Sequence, residues 1–216
     1  EFLSRKALAN PELRRRGIYI LPNLFTTAAL FAGFYAIVQA MTDRFEQAAV
    51  AIFIAMILDG LDGRVARLTR TQSAFGAEYD SLSDMVSFGV APALVMFEWA
   101  MKGMGKWGWI AAFIYCVGAA LRLARFNTNI EVIDKRFFQG LPSPAAAALV
   151  AGFVWVLMDL NYTGEEVRWY AWALTIFAGV TMVSNFRYYS GKDINLRRSV
   201  PFIAVLAIVL LFVLVS

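Results

Sequence analysis

The feature that most constrains this chain is a succession of seven apolar segments, each about as long as a membrane-spanning helix. They cover approximately residues 18–41, 45–68, 78–101, 107–126, 141–159, 167–188 and 200–216. A helix needs about 20 apolar residues to cross the hydrocarbon core of a bilayer. The composition agrees, because 60% of the 216 residues are hydrophobic and only 17% are charged, whereas soluble domains are about 25% charged. The sequence therefore predicts an all-α polytopic membrane protein without a separate soluble domain.

The basic residues fall almost entirely on one side of the predicted membrane. When the loops are assigned to alternating sides, 16 of the 20 Lys and Arg residues lie on the side of the N-terminus. Positive residues concentrate in cytoplasmic loops, so we expect a cytoplasmic N-terminus, in a bacterial inner membrane. Residues 1–17 are basic and carry four large apolar side chains, those of Phe2, Leu3, Leu8 and Leu13, which favours an interfacial amphipathic helix over its alternative, a disordered basic tail.

Histidine is absent and Cys116 is the single cysteine. An intrachain disulfide is therefore excluded. Because the commonest general base and the commonest zinc ligand are both missing, acid–base or metal chemistry in this chain depends on carboxylates.

Four aspartates lie near the cytoplasmic ends of the second and third predicted helices. Asp59 and Asp62 are spaced i, i+3, and Asp80 and Asp84 are spaced i, i+4, so each pair shares one face of its helix. A carboxylate within a membrane costs about 2.5–3.5 kcal/mol on insertion scales. Oxygen ligands suit Mg²⁺, Mn²⁺ or Ca²⁺, and two divalent ions balance four carboxylates. The alternative is ion pairing with the arginines of the following turn, Arg64, Arg67 and Arg70.

Three glycines accompany these acids, namely Gly60, Gly63 and Gly76. Each costs a helix about 1 kcal/mol relative to alanine, and each leaves bare backbone beside the carboxylates. Metal ions, bare backbone and the guanidinium of Arg67 together suit a diphosphate group. A close helix crossing is the simpler explanation for one or two of the glycines.

The spacing of these residues resembles the signature of the CDP-alcohol phosphatidyltransferases. The signature reads Asp59-x-x-Asp62-Gly63-x-x-Ala66-Arg67, then eight residues, then Gly76-x-x-x-Asp80-x-x-x-Asp84, with every fixed position present. The resemblance covers residues 18–188, a six-helix catalytic domain. It leaves outside the segment 1–17 and the segment 189–216, which holds a cytoplasmic loop and one additional transmembrane helix. The stretches PNLFTTAALFAGF, LRLARFN and FFQGLPSPAAAA resemble the members that use serine.

The resemblance implies transfer of a phosphatidyl group from CDP-diacylglycerol to the hydroxyl of L-serine, with release of CMP. It implies that Mg²⁺ or Mn²⁺, as two ions, is held by Asp59, Asp62, Asp80 and Asp84, with Ca²⁺ as a non-activating occupant. Asp84 is also implied as the general base. The implied contacts to the CDP group are Asn23, Thr26, Asp62, Gly63, Arg67, Ser73 and Gly76. A homodimer among membrane lipids is expected, and no nucleic acid partner.

The serine pocket is expected where the fourth helix ends and the fifth begins, because both points lie on the cytoplasmic side. Arg122, Arg125 and Asn127 lie there, and an arginine can bind the serine carboxylate through two hydrogen bonds. The alternative is that both arginines are ordinary cytoplasmic flanking residues.

Three other functions remain open at this stage. The same chemistry with glycerol 3-phosphate or inositol phosphate requires a basic pocket, which these arginines also offer. An intramembrane prenyltransferase requires a DxxxD spacing on both helices, and Asp59 to Asp62 is one residue too short. A cation transporter requires acids near the middle of the membrane, whereas these acids lie near one face.

Overall fold

The computed structural model describes residues 11–69, 73–128, 137–184 and 187–189, and six helices account for most of them. The helices are α1 (Pro11–Ala40), α2 (Phe45–Thr69), α3 (Ala74–Met104), α4 (Lys106–Thr128), α5 (Ser143–Asp159) and α6 (Gly164–Val183). The prediction of an all-α bundle of six helices is thereby confirmed. Residues 11–17 of the predicted interfacial segment form the first turns of α1. The rest of that segment and the predicted helix 200–216 lie outside the described residues.

Three of the described helices contain stretches long and apolar enough to cross a membrane. These stretches are Asn23–Ala40 in α1, Ala74–Met104, which is all of α3, and Lys106–Thr128, which is all of α4. Helix α5 is apolar but shorter, at 17 residues. The chain is therefore an integral membrane protein.

Helix α3 lies at the centre of the bundle and contacts each of the other five helices. The buried core around it is rich in alanine, as expected where helices in lipid associate by close packing of small residues. The contact between α1 and α3 is especially close, because a Cβ added at Gly33 would lie 2.7 Å from the Cα of Ser87. The hydroxyl of Ser87 donates to the carbonyl of Ala29 at 3.1 Å across the same contact. These contacts fix α1 against the helix that carries two of the acids.

Helix α3 contains two π-helical turns, Met85–Val90 and Phe97–Met101. The first turn follows Asp84 directly and precedes Pro92, which lacks the N–H that would bond to the carbonyl of Phe88. The hydroxyl of Tyr115 in α4 donates to that carbonyl at 3.1 Å instead. Turns of this kind occur frequently at functional sites. Here the π-helical turn sets the rotation of the acidic part of α3 relative to the part beyond Pro92.

Two short strands pair at one end of the bundle, one before α5 and one after α6. Strand β1 (Phe137–Gln139) pairs antiparallel with β2 (Arg187–Tyr189), with Phe137 opposite Tyr189. Gly140 follows with φ 78°, and an added Cβ there would meet the carbonyl oxygen of Met182. The apolar pattern predicted a helix up to residue 188, whereas α6 ends at Val183. Pairing with a segment about 50 residues earlier in the chain leaves no signal in the local pattern.

Candidate metal and diphosphate site

Carboxylates from α2 and α3 converge at one end of the bundle. One oxygen from each of Asp59, Asp62 and Asp80 lies within 4.8 Å of the others. The carboxyl groups of Asp84 and Asp59 lie close enough to share a proton. Asp62 is buried, with 5% of its surface exposed. The structure thus brings together the side chains of all four aspartates.

The chemistry of these ligands fits a divalent cation. Among the described residues, an ion pair joins Lys102 to Glu98 at 2.6 Å, at the end of α3 that is far from the four aspartates. Neither Arg64 nor Arg67 pairs with the acids there, and Arg70 lies outside the described residues. Oδ1 of Asp80 is buried without a hydrogen-bond partner, which is costly for a carboxylate oxygen. Closely spaced oxygen ligands with an unpartnered buried atom are what a hard divalent cation requires.

Helix α1 contributes hydroxyl groups to the same end of the bundle. Oγ1 of Thr26 donates to Oδ2 of Asp62 at 2.8 Å, and the hydroxyl of Ser83 donates to the Thr26 carbonyl at 3.2 Å. The hydroxyls of Thr27 and Tyr79 are 2.9 Å apart. Sequence reasoning placed Thr26 against the nucleotide and did not identify its bond to Asp62.

The glycines of α2 differ in their surroundings. A Cβ added at Gly60 would meet nothing within 4 Å. One added at Gly63 would lie 3.7 Å from Nη1 and 3.8 Å from Nη2 of Arg67, whose side chain is exposed. The guanidinium of Arg67 therefore lies over the backbone of Gly63, while open space adjoins Gly60. Open space beside Gly60 thus lies about one helical turn from an exposed guanidinium, an arrangement that suits a bound phosphate group.

Gly76 lies at the start of α3, where Ser73 caps the helix. Oγ of Ser73 accepts a hydrogen bond from the Gly76 N–H at 3.0 Å, as N-cap serines commonly do. A Cβ added at Gly76 would lie 3.1 Å from this oxygen and 3.6 Å from Oδ1 of Asn23 in α1. The structure therefore brings Asn23, Ser73 and Gly76 together, about one helical turn before Asp80.

Of the three residues expected in the serine pocket, Arg122 and Asn127 contact residues other than those that Arg125 contacts. Nη1 of Arg122 donates to Oγ of the fully buried Ser143 at 2.9 Å. Its guanidinium lies close enough to the Asp84 carboxylate to be attracted to it, although the two form no direct ion pair. Its Nε is buried without a hydrogen-bond partner. Nδ2 of Asn127 donates to the Ser81 hydroxyl at 2.9 Å, one residue after Asp80.

Arg125 points towards the end of α6, where its Nη1 donates to the carbonyl of Val183 at 3.1 Å. The structure thus places Arg122 and Asn127 beside the acidic part of α3. It ties Arg125 to the last residue of α6, Val183.

The fold and the site together define a polytopic membrane protein with a carboxylate centre suited to a divalent cation. The chain belongs to the CDP-alcohol phosphatidyltransferase family, whose model matches residues 19–181. The membership that the aspartate signature indicated is thereby confirmed.

Proteins named CDP-diacylglycerol–serine O-phosphatidyltransferase, from bacteria and from yeast, are similar to this chain. That of Helicobacter pylori (strain ATCC 700392 / 26695) is 38% identical over 199 residues, covering 91% of this chain and 83% of the relative. That of Mycobacterium bovis is 39% identical over 178 residues, covering 78% of this chain and 60% of the relative. That of Saccharomyces cerevisiae is 40% identical over 141 residues, covering 58% of this chain and 50% of the relative.

Proposed function

We propose that the chain transfers the phosphatidyl group of CDP-diacylglycerol to L-serine and releases CMP. One observation carries the proposal, namely the similarity to the CDP-diacylglycerol–serine O-phosphatidyltransferase of Helicobacter pylori along 91% of this chain. The matched part of the chain includes the carboxylates that converge from α2 and α3. The overall reaction joins the serine hydroxyl oxygen to the phosphorus that bears diacylglycerol. It breaks the bond from that phosphorus to the CMP oxygen.

Asp59, Asp62, Asp80 and Asp84 are the residues that would hold Mg²⁺ or Mn²⁺. A divalent cation bound there supplies positive charge against the diphosphate and the departing CMP. Asp84 accepts the proton of the serine hydroxyl, since the chain has no histidine and a carboxylate is the remaining base of suitable reach. The proximity of Asp84 to Asp59 keeps the proposed base beside the other proposed cation ligands.

The CDP group is assigned to the space beside Gly60 and beneath Arg67. The guanidinium of Arg67 binds a phosphate oxygen there, and a guanidinium suits this role because its donors are fixed in a plane. Gly63 keeps the backbone bare beneath that guanidinium. Asn23, Ser73 and Gly76 form the neighbouring wall.

Arg122 binds the carboxylate of serine. Its Nε is a buried donor without a protein partner, and an anion that accepts from it relieves the cost of that unpartnered group. Its attraction to Asp84 places the bound serine near the proposed base. Asn127, which bonds to Ser81 beside Asp80, completes this side of the pocket, whereas Arg125 is bound to the end of α6 and takes no part in it.

The carboxylate cluster lies at the cytoplasmic face in this proposal. The positive-inside distribution of Lys and Arg supports it, because Asp59 and Asp62 fall near the end of α2 that leads into Arg64 and Arg67. The acyl chains then stay in the bilayer while serine and CMP exchange with water. The bacterial inner membrane and the homodimer stay predictions.

The test is an acceptor comparison with the purified full-length protein in detergent. CDP-diacylglycerol and Mn²⁺ or Mg²⁺ are supplied with serine, glycerol 3-phosphate or inositol phosphate in parallel, and CMP release and the lipid product are measured. Of the three acceptors, we expect only serine to give CMP release, with phosphatidylserine as the lipid product. Turnover with glycerol 3-phosphate but not with serine would contradict the acceptor assignment.

The metal requirement is tested in the same assay. Treatment with EDTA is expected to abolish CMP release, and Mn²⁺ or Mg²⁺ is expected to restore it, whereas Ca²⁺ is expected to bind without restoring it. The Asp80→Asn variant serves as the control, because added Mn²⁺ should not rescue it. Full turnover in EDTA would refute the proposed role of the four aspartates.

A further inference from the structure

Thr26 lies where α1 meets both of the helices that carry the acids. Its side chain is buried, with 4% of its surface exposed, and its Oγ1 donates to Oδ2 of Asp62 in α2 at 2.8 Å. Its backbone carbonyl accepts from the hydroxyl of Ser83 in α3 at 3.2 Å, one residue before Asp84. A single residue of α1 therefore contacts α2 at one carboxylate and α3 directly beside another.

The bond to Asp62 constrains how that carboxylate is presented. A carboxylate has two oxygens, and a donor fixed on Oδ2 sets the rotation of the group and thus the direction in which Oδ1 points. Partners of this kind, which hold a metal ligand without touching the metal, commonly change metal affinity by about 10–100-fold when they are removed. The hydroxyl of Thr26 is well placed for this role because its own backbone is fixed by the bond from Ser83.

We propose that Thr26 is a positioning residue that holds Asp62 in the orientation needed to share a divalent cation with Asp59 and Asp80. The inference rests on the proposed function, because it requires that these aspartates bind a cation. It replaces the direct nucleotide contact that the sequence suggested for Thr26. In this role Thr26 acts through Asp62 and does not touch the substrate.

The neighbouring residue offers a matched control. Thr27 is exposed, and its hydroxyl bonds to the Asn23 carbonyl at 2.7 Å and to the Tyr79 hydroxyl at 2.9 Å. None of these contacts involves an acid of the cluster. A Thr→Val change at position 27 therefore removes a hydroxyl from the same turn of α1 without altering the support of Asp62.

The experiment measures Mn²⁺ binding to the full-length protein in detergent without substrate, by electron paramagnetic resonance of free Mn²⁺. Thr26→Val is expected to weaken Mn²⁺ binding by about 10–100-fold. Thr26→Ser keeps the donor and is expected to stay within about threefold of the wild type. Thr27→Val is expected to do the same. Thermal melting of each variant without metal establishes that the bundle is folded.

Each contrary result has a distinct meaning. Wild-type Mn²⁺ affinity in Thr26→Val would overturn the inference, and so would an equal loss in Thr27→Val, which would indicate a general disturbance of α1. Weaker binding of CMP without Mn²⁺, together with unchanged Mn²⁺ affinity, would restore the nucleotide contact and overturn the positioning role. Absence of Mn²⁺ binding in the wild type would instead refute the proposed metal centre and the inference with it.

Discussion

Replacement of Arg122 by lysine tests the proposed serine pocket most directly. The change keeps a positive charge near Asp84 but removes the planar guanidinium, including the Nε that is buried without a partner. Lysine can still reach towards Ser143 with a single ammonium group, but it cannot present two parallel donors to a carboxylate. We therefore expect weaker serine binding without loss of the bundle.

The size of the effect follows from the hydrogen bonds involved. A hydrogen bond to a charged group contributes about 1.5–3 kcal/mol. At about 1.4 kcal/mol for each factor of ten, loss of one such bond corresponds to roughly a 10–150-fold rise in KM for serine. The KM for CDP-diacylglycerol should stay within about threefold, because Arg122 is assigned to the acceptor and not to the CDP group.

The assay is CMP release as a function of serine concentration at saturating CDP-diacylglycerol. Ser143→Ala is the matched control, because it removes the acceptor of the 2.9 Å bond from Nη1 and leaves Nε in place. If Arg122 acts on serine, Ser143→Ala raises KM much less than Arg122→Lys does. Equal effects of the two variants, or an unchanged KM in Arg122→Lys, would refute the assignment.

Three further predictions concern the base, the helix contacts and a helix cap. Asp84→Asn should lower turnover by about 10²–10⁴-fold while CDP-diacylglycerol binding largely survives; near-normal turnover would exclude Asp84 as the base. Gly33→Ala and Gly60→Ala both gain about 1 kcal/mol of helix propensity, but only Gly33→Ala also overpacks the core, at a cost of about 1–3 kcal/mol. The Gly33→Ala variant should therefore melt roughly 2–12 °C below the Gly60→Ala variant. Equal melting temperatures would contradict the close contact with Ser87. Thr163→Ala removes the capping box of α6, so a melting temperature about 2–4 °C lower with unchanged turnover is expected, and unaltered melting would show that the cap contributes nothing.

The positions of the acids along the chain predicted which of them share a helix face, because helical periodicity is a local property. Spacings of three and four residues put Asp59 with Asp62, and Asp80 with Asp84, on one face of each helix. The apolar segments predicted the six helices, since backbone groups in lipid must bond within their own segment. The family membership followed from the same acids and their glycines. These properties depend on neighbours within a few residues, which the sequence displays directly.

The ends of the helices were predicted less accurately from the sequence. Helix α3 begins at Ala74, four residues before the predicted start at residue 78, because the side chain of Ser73 caps the N–H of Gly76. At the other end of the domain, the pairing of β1 with β2 replaces the last turn predicted for α6. A cap is visible in a sequence once it is sought, whereas a pairing between distant segments is not.

Only the tertiary structure decided how the helices face one another. The bonds of Arg122 to Ser143 and of Arg125 to Val183 depend on the rotation of α4 against α5 and α6. The bond from Thr26 to Asp62 depends on the depth at which α1 crosses α2. Rotation and depth are set by contacts between side chains far apart in the chain, such as Gly33 against Ser87. The sequence by itself determined which groups the site contains, and close packing between distant helices determined which of them meet.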